Sequence, residues 1–213
     1  MCVVMGNGPS LRGFDVSTLD GIPAFCLNRG YLLWEGTGRA PAYYVAVNDL
    51  VIKQFADEIA ALETEAFLPW LHRDAFESAG DVTFFESRID DPFLTDARKG
   101  IAPGATVTIA ALQLAFHMGF ETVILLGVDH RFETQGQPHL KIRQNGNDPN
   151  HFRSDYFGDG IFWNLPDLAL SEGGYKAARR TFEADGRRIL NATPDSSLDV
   201  FEHITLEVAV GGT

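Results

Sequence analysis

Short apolar runs alternate with helical patterns along the whole chain. Apolar strands are predicted at residues 1–5, 23–27, 42–47, 65–70, 82–86, 122–126 and 188–191. Helices are predicted at 49–62, 106–118 and 171–186, where apolar residues recur every three or four positions or continuously. Fully apolar strands separated by helices are typical of a parallel sheet covered on both faces. The pattern predicts a single-domain α/β fold with a mostly parallel, Rossmann-like sheet and helices on both faces.

One long segment, residues 131–168, interrupts this alternation. It is rich in Gly, Asn, Asp and His, and it also carries several aromatic residues. A loop of this length is usually either functional or disordered. Clustered aromatic side chains favour the ordered alternative. We therefore predict a lid over the edge of the sheet, within one domain that spans residues 1–213.

A glycine-rich turn follows the first strand directly. It reads Gly6-Asn7-Gly8-Pro9-Ser10-Leu11. Glycine allows backbone N–H groups to converge, and a turn at the end of a first strand suits phosphate or ribose oxygens. Pro9 removes one donor and stiffens the turn. Because Leu11 stands where the dinucleotide fingerprint has its third glycine, a Rossmann dehydrogenase is a poor match. A plain strand-to-helix turn is the alternative interpretation.

Polar residues stand at the ends of four predicted strands, namely Asn7, Asn28, Asn48 and Asp129. Ligands of open parallel sheets bind outside the carboxyl ends of the strands, so we expect these side chains to converge. An amide offers donors and acceptors without charge, which suits sugar hydroxyls, a cytosine edge or a phosphate. A carboxylate at the end of a buried strand is costly unless it is paired or faces a ligand. Alternatively, each asparagine caps a turn and Asp129 caps the following loop.

The lid segment supplies the candidates for proton transfer. Histidine is the side chain best suited to proton transfer near neutral pH, so His151 is a candidate general acid or base. A histidine bonded to loop backbone is the alternative. The lid histidines match no zinc spacing, so no metal site is predicted. Mg²⁺ held partly by substrate phosphates needs only one or two carboxylates and stays open as an alternative.

Composition narrows the classes of partner. The net charge is −12 and Lys and Arg do not cluster, so nucleic acid is not an expected partner. No apolar run reaches membrane-spanning length, and no secretory signal pattern is present. Two cysteines lie outside any metal or redox motif, which favours a reducing, cytoplasmic setting. The sequence does not decide the oligomeric state, and a homo-oligomer stays open.

Several of these motifs resemble known families. The opening turn, Asn28-Arg29, Tyr44-x-x-x-Asn48 and the 119–129 stretch that ends in Gly-Val-Asp resemble bacterial lipooligosaccharide sialyltransferases. Residues 148–152 and 191–194 are more similar to a related group, which contains MptE-like 6-hydroxymethylpterin diphosphokinases and flagellar motility accessory factors. The matches run along nearly the whole chain but are thin over 50–100.

The sialyltransferase resemblance implies a CMP-activated nonulosonic acid as donor and no obligatory metal. It places the three asparagines on the nucleotide and its phosphate, and it places Thr106 near the family's serine at a helix start. The sequence also departs from that family. Asp155 stands where the family has its catalytic histidine. Residues 130–132 lack the tyrosine that holds the donor phosphate, and Tyr156 is its candidate substitute.

Three functions follow from these observations. The leading hypothesis is a transferase with a nucleotide-activated donor, most like a sialyltransferase-type glycosyltransferase. The second is Mg²⁺-dependent diphosphate transfer from ATP to a pterin-like alcohol, which would depend on Asp129 and Asp148. The third is a catalytically silent nucleotide-sugar binding module. The predicted catalytic residues are His151, Asp155 and Asp129, and the predicted donor-binding residues are Gly6, Asn7, Gly8, Pro9, Ser10, Asn28, Asn48, Thr106, Asp129 and Tyr156.

Overall fold

The computed structural model of the chain describes residues 1–77 and 79–211. Its strands are β1 (Cys2–Met5), β2 (Ala24–Leu27), β3 (Tyr43–Val45), β4 (Glu65–Pro69), β5 (Val82–Phe85), β6 (Thr122–Leu126), β7 (Lys141–Arg143), β8 (Phe162–Asn164), β9 (Arg188–Asn191) and β10 (Glu202–His203). Its helices are α1 (Asp49–Gln54), α2 (Ala56–Ala60), α3 (Val107–His117), α4 (Leu168–Ala184) and α5 (Leu206–Gly211), with short 3₁₀ segments between them.

Eight of the strands form one parallel sheet in the order β10-β9-β6-β1-β2-β3-β4-β5. The chain runs outward from β1 to β5 and then returns to place β6 on the other side of β1. The direction of winding therefore reverses between β1 and β6, which is where open α/β sheets bind ligands. The predicted α/β class and mostly parallel sheet are confirmed.

The two faces of the sheet are covered differently. On one face, Val4 and Leu125 pack in a cluster with the apolar helix α3 and with α4. Helices α3 and α4 come close at Gly174, where an added Cβ would lie 3.1 Å from the side chain of Ile109. The other face packs against α1, α2 and the aromatic residues of the lid. The N-terminal end of α3 is thereby fixed beside the ends of the central strands.

The predicted helix over 49–62 is wrong in one respect, since it is two short helices. Phe55 separates α1 from α2 with φ −124° and ψ 25°. Its ring is buried and carries the guanidinium of Arg29 at 4.0 Å from the ring centroid. Helix α4 also begins earlier than the predicted start at 171. It begins at Leu168, because the Asp167 side chain accepts a hydrogen bond from the N–H of Leu170. The short strand β10 and helix α5 were not predicted, since two- and six-residue elements carry no clear periodicity.

The lid segment, residues 131–168, packs against the sheet and contains regular structure. Strands β7 and β8 form an antiparallel hairpin within it. Phe152, Tyr156 and Trp163 are buried against the second face of the sheet, so the lid packs on a face as well as at the edge. The backbone N–H of Phe152 donates to the carbonyl of Asn7 at 3.1 Å, which joins the lid to the opening turn.

Among the described residues, no helix combines the length and apolar character needed to cross a lipid bilayer.

Candidate functional site

A cavity of about 160 Å³ opens where the winding of the sheet reverses, and we call it the switch-point cavity. It is lined by residues from the ends of β1, β2 and β6, from the start of α3 and from the lid. They include Asn7, Asn28, Thr106, Asp129, His130 and His151. A larger neighbouring cavity of about 440 Å³ shares Asn28 and Thr106 with it and also contains Asn48. The structure thus brings most of the predicted site residues to one edge of the sheet.

The glycines of the opening turn are required by packing between two loops. A Cβ at Gly6 would lie 2.2 Å from the carbonyl oxygen of Gly127, and one at Gly8 would lie 1.8 Å from Oδ2 of Asp129. The N–H of Gly8 also donates to the carbonyl of Gly127 at 2.9 Å. Pro9 then begins a single 3₁₀ turn. The close approach that glycine permits is to the chain after β6, and it builds the floor of the switch-point cavity.

Asp129 holds this floor together. Its Oδ1 accepts from the backbone N–H of Ser10 at 3.1 Å, and its Oδ2 accepts from the Ser10 hydroxyl at 2.7 Å. The residue is only 3 % exposed. The cost of burying this carboxylate is thus offset by hydrogen bonds within the protein. Its position supports a positioning role, while direct contact of Asp129 with ribose or a metal stays a prediction.

The three asparagines have different surroundings. Asn48 caps α1, because its Oδ1 accepts from the N–H groups of Leu50 and Val51 at 2.9 and 3.3 Å. Asn7 donates from Nδ2 to the carbonyl of Leu27 at 3.0 Å. The Oδ1 atoms of Asn7 and Asn28 are buried and lack a hydrogen-bond partner among the described residues. A buried acceptor without a donor costs about 1–3 kcal/mol. The Oδ1 of Asn7 packs against Gly30, where an added Cβ would lie 2.9 Å from it, so Asn28 is the better candidate for contact with a ligand.

Asn28 combines this unpartnered oxygen with an uncommon backbone. Its φ is +50°, in the left-handed region that asparagine adopts more readily than most residues. Residues held in sparsely populated backbone regions cluster at functional sites. Asn28 therefore has two independent features that favour a role in binding.

His151 is held by a carboxylate. Its Nδ1 lies 2.7 Å from Oδ2 of Asp148, whose side chain is completely buried. The ring of Tyr156 stacks on the imidazole with 4.0 Å between centroids. Because a carboxylate only accepts, Nδ1 carries the proton and Nε2 is left to accept one. The arrangement is that of an oriented general base on the wall of the switch-point cavity.

The remaining predicted residues lie elsewhere or play capping roles. Tyr156 is buried beneath His151, and its hydroxyl accepts from the N–H of Arg29 at 3.1 Å, outside the cavity lining. Asp155 is exposed and paired with Arg153, whose hydrogen bonds lower the pKa of this carboxyl. These positions lend no support to donor contact by Tyr156 or proton abstraction by Asp155. Thr106 caps α3 and lines both cavities.

Two features of the site were not predicted from the sequence, namely the pairing of Asp148 with His151 and the burial of His130. Asp148 and His151 stand three residues apart in an irregular loop, where spacing does not predict pairing. His130 follows Asp129 and lines the cavity with a side chain that is only 6 % exposed. No sequence signal marked its ring as buried, since the helix that covers it lies about 40 residues further on.

The asparagines give a first testable prediction. Asn28→Gly keeps a residue that tolerates positive φ but removes the amide, so we expect nucleotide affinity to fall about tenfold with stability nearly unchanged. Asn48→Ala is expected to do the reverse, lowering stability by about 1 kcal/mol through loss of the cap. Calorimetric titration and urea denaturation measure both quantities. Equal affinity in wild type and Asn28→Gly would remove Asn28 from the site.

Comparisons with known proteins add a fold-level likeness. No protein-family model matches the sequence, and no curated protein matches it. A solved structure, the MAf glycosyltransferase from Magnetospirillum magneticum AMB-1, superimposes with a TM-score of 0.57 at 16 % sequence identity. The alignment covers 95 % of this chain and 33 % of that one, so the chain spans about a third of the length of its structural neighbour. That neighbour belongs to the motility accessory factors, one of the groups that the sequence resembles. At this identity the likeness shows the fold alone.

Proposed function

We propose that this chain is a glycosyltransferase-type transferase that uses a nucleotide-activated sugar donor. The observation that carries the proposal is the His151–Asp148 pair on the wall of the switch-point cavity. The same cavity is lined by Asn7 and Asn28, whose buried Oδ1 atoms have no hydrogen-bond partner among the described residues. The fold shared with a glycosyltransferase agrees with this assignment.

The chemistry follows from the geometry of His151. Nε2 removes the proton of an acceptor hydroxyl, and the resulting oxygen attacks the anomeric carbon of the donor. The bond from that carbon to the phosphate oxygen breaks, and the nucleotide leaves with the electron pair. Asp148 stabilises the imidazolium that forms, and the buried packing around the ring holds it in place.

The finer assignment concerns the donor. We propose a CMP-activated nonulosonic acid, used without an obligatory metal, with Asn7 and Asn28 near the nucleotide. The support is the sequence resemblance together with the two free amide oxygens. Mg²⁺-dependent diphosphate transfer is the less favoured alternative. Each carboxylate oxygen of Asp129 already accepts a hydrogen bond from Ser10, and Asp148 is committed to His151 and to the N–H of Asn150.

Thermal denaturation with nucleotides tests this proposal. We expect CMP alone to stabilise the protein, by about 2.7 kcal/mol at a concentration one hundred times its Kd, which corresponds to several degrees in Tm. Addition of Mg²⁺ should add nothing. Stabilisation by ATP only with Mg²⁺ would instead support diphosphate transfer. A donor that binds but releases no nucleotide with any acceptor, or with water, would indicate a silent binding module.

A further inference from the structure

A second histidine on the wall of the switch-point cavity also faces a carboxylate. Nε2 of His130 lies 3.6 Å from Oε1 of Glu172 on α4, too far for a hydrogen bond. That nitrogen is buried and has no hydrogen-bond partner among the described residues. The side chain as a whole is 6 % exposed. His130 is thus a nearly buried polar group whose partner lies within reach but is not engaged.

His130 carries a backbone cost as well. Its φ is +54°, in the left-handed region that is uncommon for any residue other than glycine. Strain of this kind costs about 1–3 kcal/mol and is retained mainly at functional positions. An unpartnered buried nitrogen adds a similar cost. Both costs fall on one residue that lines the switch-point cavity.

The charges around His130 decide how it responds to a ligand. Burial lowers the pKa of its imidazole, and Glu172 acts in the opposite direction. Tyr175, also on α4, meets the ring edge-on, and burial raises the pKa of this phenol, so it is neutral near pH 7. Three other charged or titratable groups line the cavity near His130, and each already has a partner. Asp129 accepts from Ser10, and Nη1 of Arg131 donates to the carbonyl of Asp195. His151 is bonded to Asp148.

A negatively charged ligand would change this balance. The first residues of α3, Val107 and Thr108, line the same cavity, and the N-terminus of a helix favours an anion. An anion beside His130 would favour its protonated form. The imidazolium has two N–H donors, one for Glu172 and one for the ligand.

We propose that His130 binds the phosphate of the nucleotide by taking up a proton from solvent, so that the imidazolium bridges Glu172 and the phosphate. This inference rests on the proposed function in taking a nucleotide as the ligand. No covalent bond changes in the step, and Glu172 is the residue that positions the ring. His130 thus has a role in binding the ligand, whereas His151 removes the proton of the acceptor hydroxyl.

Proton uptake on binding tests the proposal. CMP is titrated into the protein at pH 7 by calorimetry in two buffers with different heats of protonation, and inorganic phosphate serves as a second probe in the same buffers. We expect wild type to take up as much as about one proton per ligand. Affinity should rise as the pH falls from about 8 to 7, a range in which the phosphate of CMP stays largely dianionic, since the protonated ring binds the anion more tightly. His130→Asn should abolish the uptake and lower affinity about tenfold.

Two further variants make the result specific. Glu172→Gln removes the partner charge and should reduce the uptake while the ring remains. His117 offers a matched control, because its Nδ1 also lies 3.6 Å from a carboxylate, that of Asp96, but at the far end of α3. His117→Asn should bind CMP with unchanged affinity and unchanged uptake.

The outcomes separate this proposal from the proposed function. Binding of CMP without proton uptake, or with uptake that persists in His130→Asn, overturns the role of His130 and leaves the nucleotide site intact. Uptake that disappears in His151→Asn instead would assign the proton to the other histidine. If neither CMP nor phosphate binds to wild type, the nucleotide site and the role of His130 both fail.

Discussion

Replacing His151 with asparagine is expected to lower turnover by about 10²–10⁴ while nucleotide affinity stays within a few-fold of wild type. Asparagine keeps a donor for Asp148 but has no nitrogen that can accept a proton at neutral pH. The measurement is release of nucleotide from an activated donor, with an acceptor alcohol or with water in its place. The variant should also lose the limb of the pH–rate profile that reports the base.

Two neighbouring carboxylates provide the controls for this prediction. Asp148→Asn keeps the volume of the side chain but offers a weaker partner to Nδ1, so we expect a smaller loss of turnover with an altered pH profile. Asp155→Asn alters an exposed carboxylate outside the cavity lining and should leave turnover unchanged. Full activity in His151→Asn would make the histidine structural, and loss of activity in Asp155→Asn would return the base to that residue.

Gly8→Ala is expected to destabilise the fold by about 3–5 kcal/mol, because the new methyl group would lie 1.8 Å from Oδ2 of Asp129. The carboxylate must move, and its hydrogen bonds to the N–H and hydroxyl of Ser10 are then lost. Urea denaturation gives the free energy of unfolding. For a chain of this length each kcal/mol corresponds to about 2–4 °C in Tm.

A second glycine substitution separates crowding from the general effect of alanine. Gly173 lies inside α4, and a Cβ there would meet nothing within 4 Å. Gly173→Ala should raise stability by about 0.5–1 kcal/mol, because alanine suits a helix interior better than glycine. A Gly8→Ala protein as stable as wild type would show that the two loops are not packed as described.

The parts of the fold that local pattern determines were predictable from sequence. The apolar runs that became β1 and β6 are buried on both faces, and this pattern alone indicates a parallel sheet. Because the carboxyl ends of parallel strands share one edge of the sheet, the sequence also predicts that Asn7, Asn28 and Asp129 lie at the same edge. The aromatic content of residues 131–168 likewise indicated order. These inferences needed only burial and periodicity.

The parts that tertiary contacts determine were not predictable. Asn28 and Asn48 both follow a strand, yet only Asn48 became a helix cap, since its Oδ1 meets the N–H groups of the turn that follows. The division of 49–62 at Phe55 and the covering of His130 by α4 depend on partners distant in sequence. The bond from the Ser10 hydroxyl to Asp129, across 119 residues, carries no local sequence signal either, while contact of Asp129 with a ligand stays a prediction.

The carboxylate of Asp148 has a second task besides His151. Its Oδ1 accepts from the N–H of Asn150 at 2.9 Å, so it also sets the path of the backbone that carries the histidine. The direction of the imidazole is thus tied to the backbone path of residues 148–150. A substitution that shifts this stretch should misdirect the ring even when every strand of the sheet keeps its place.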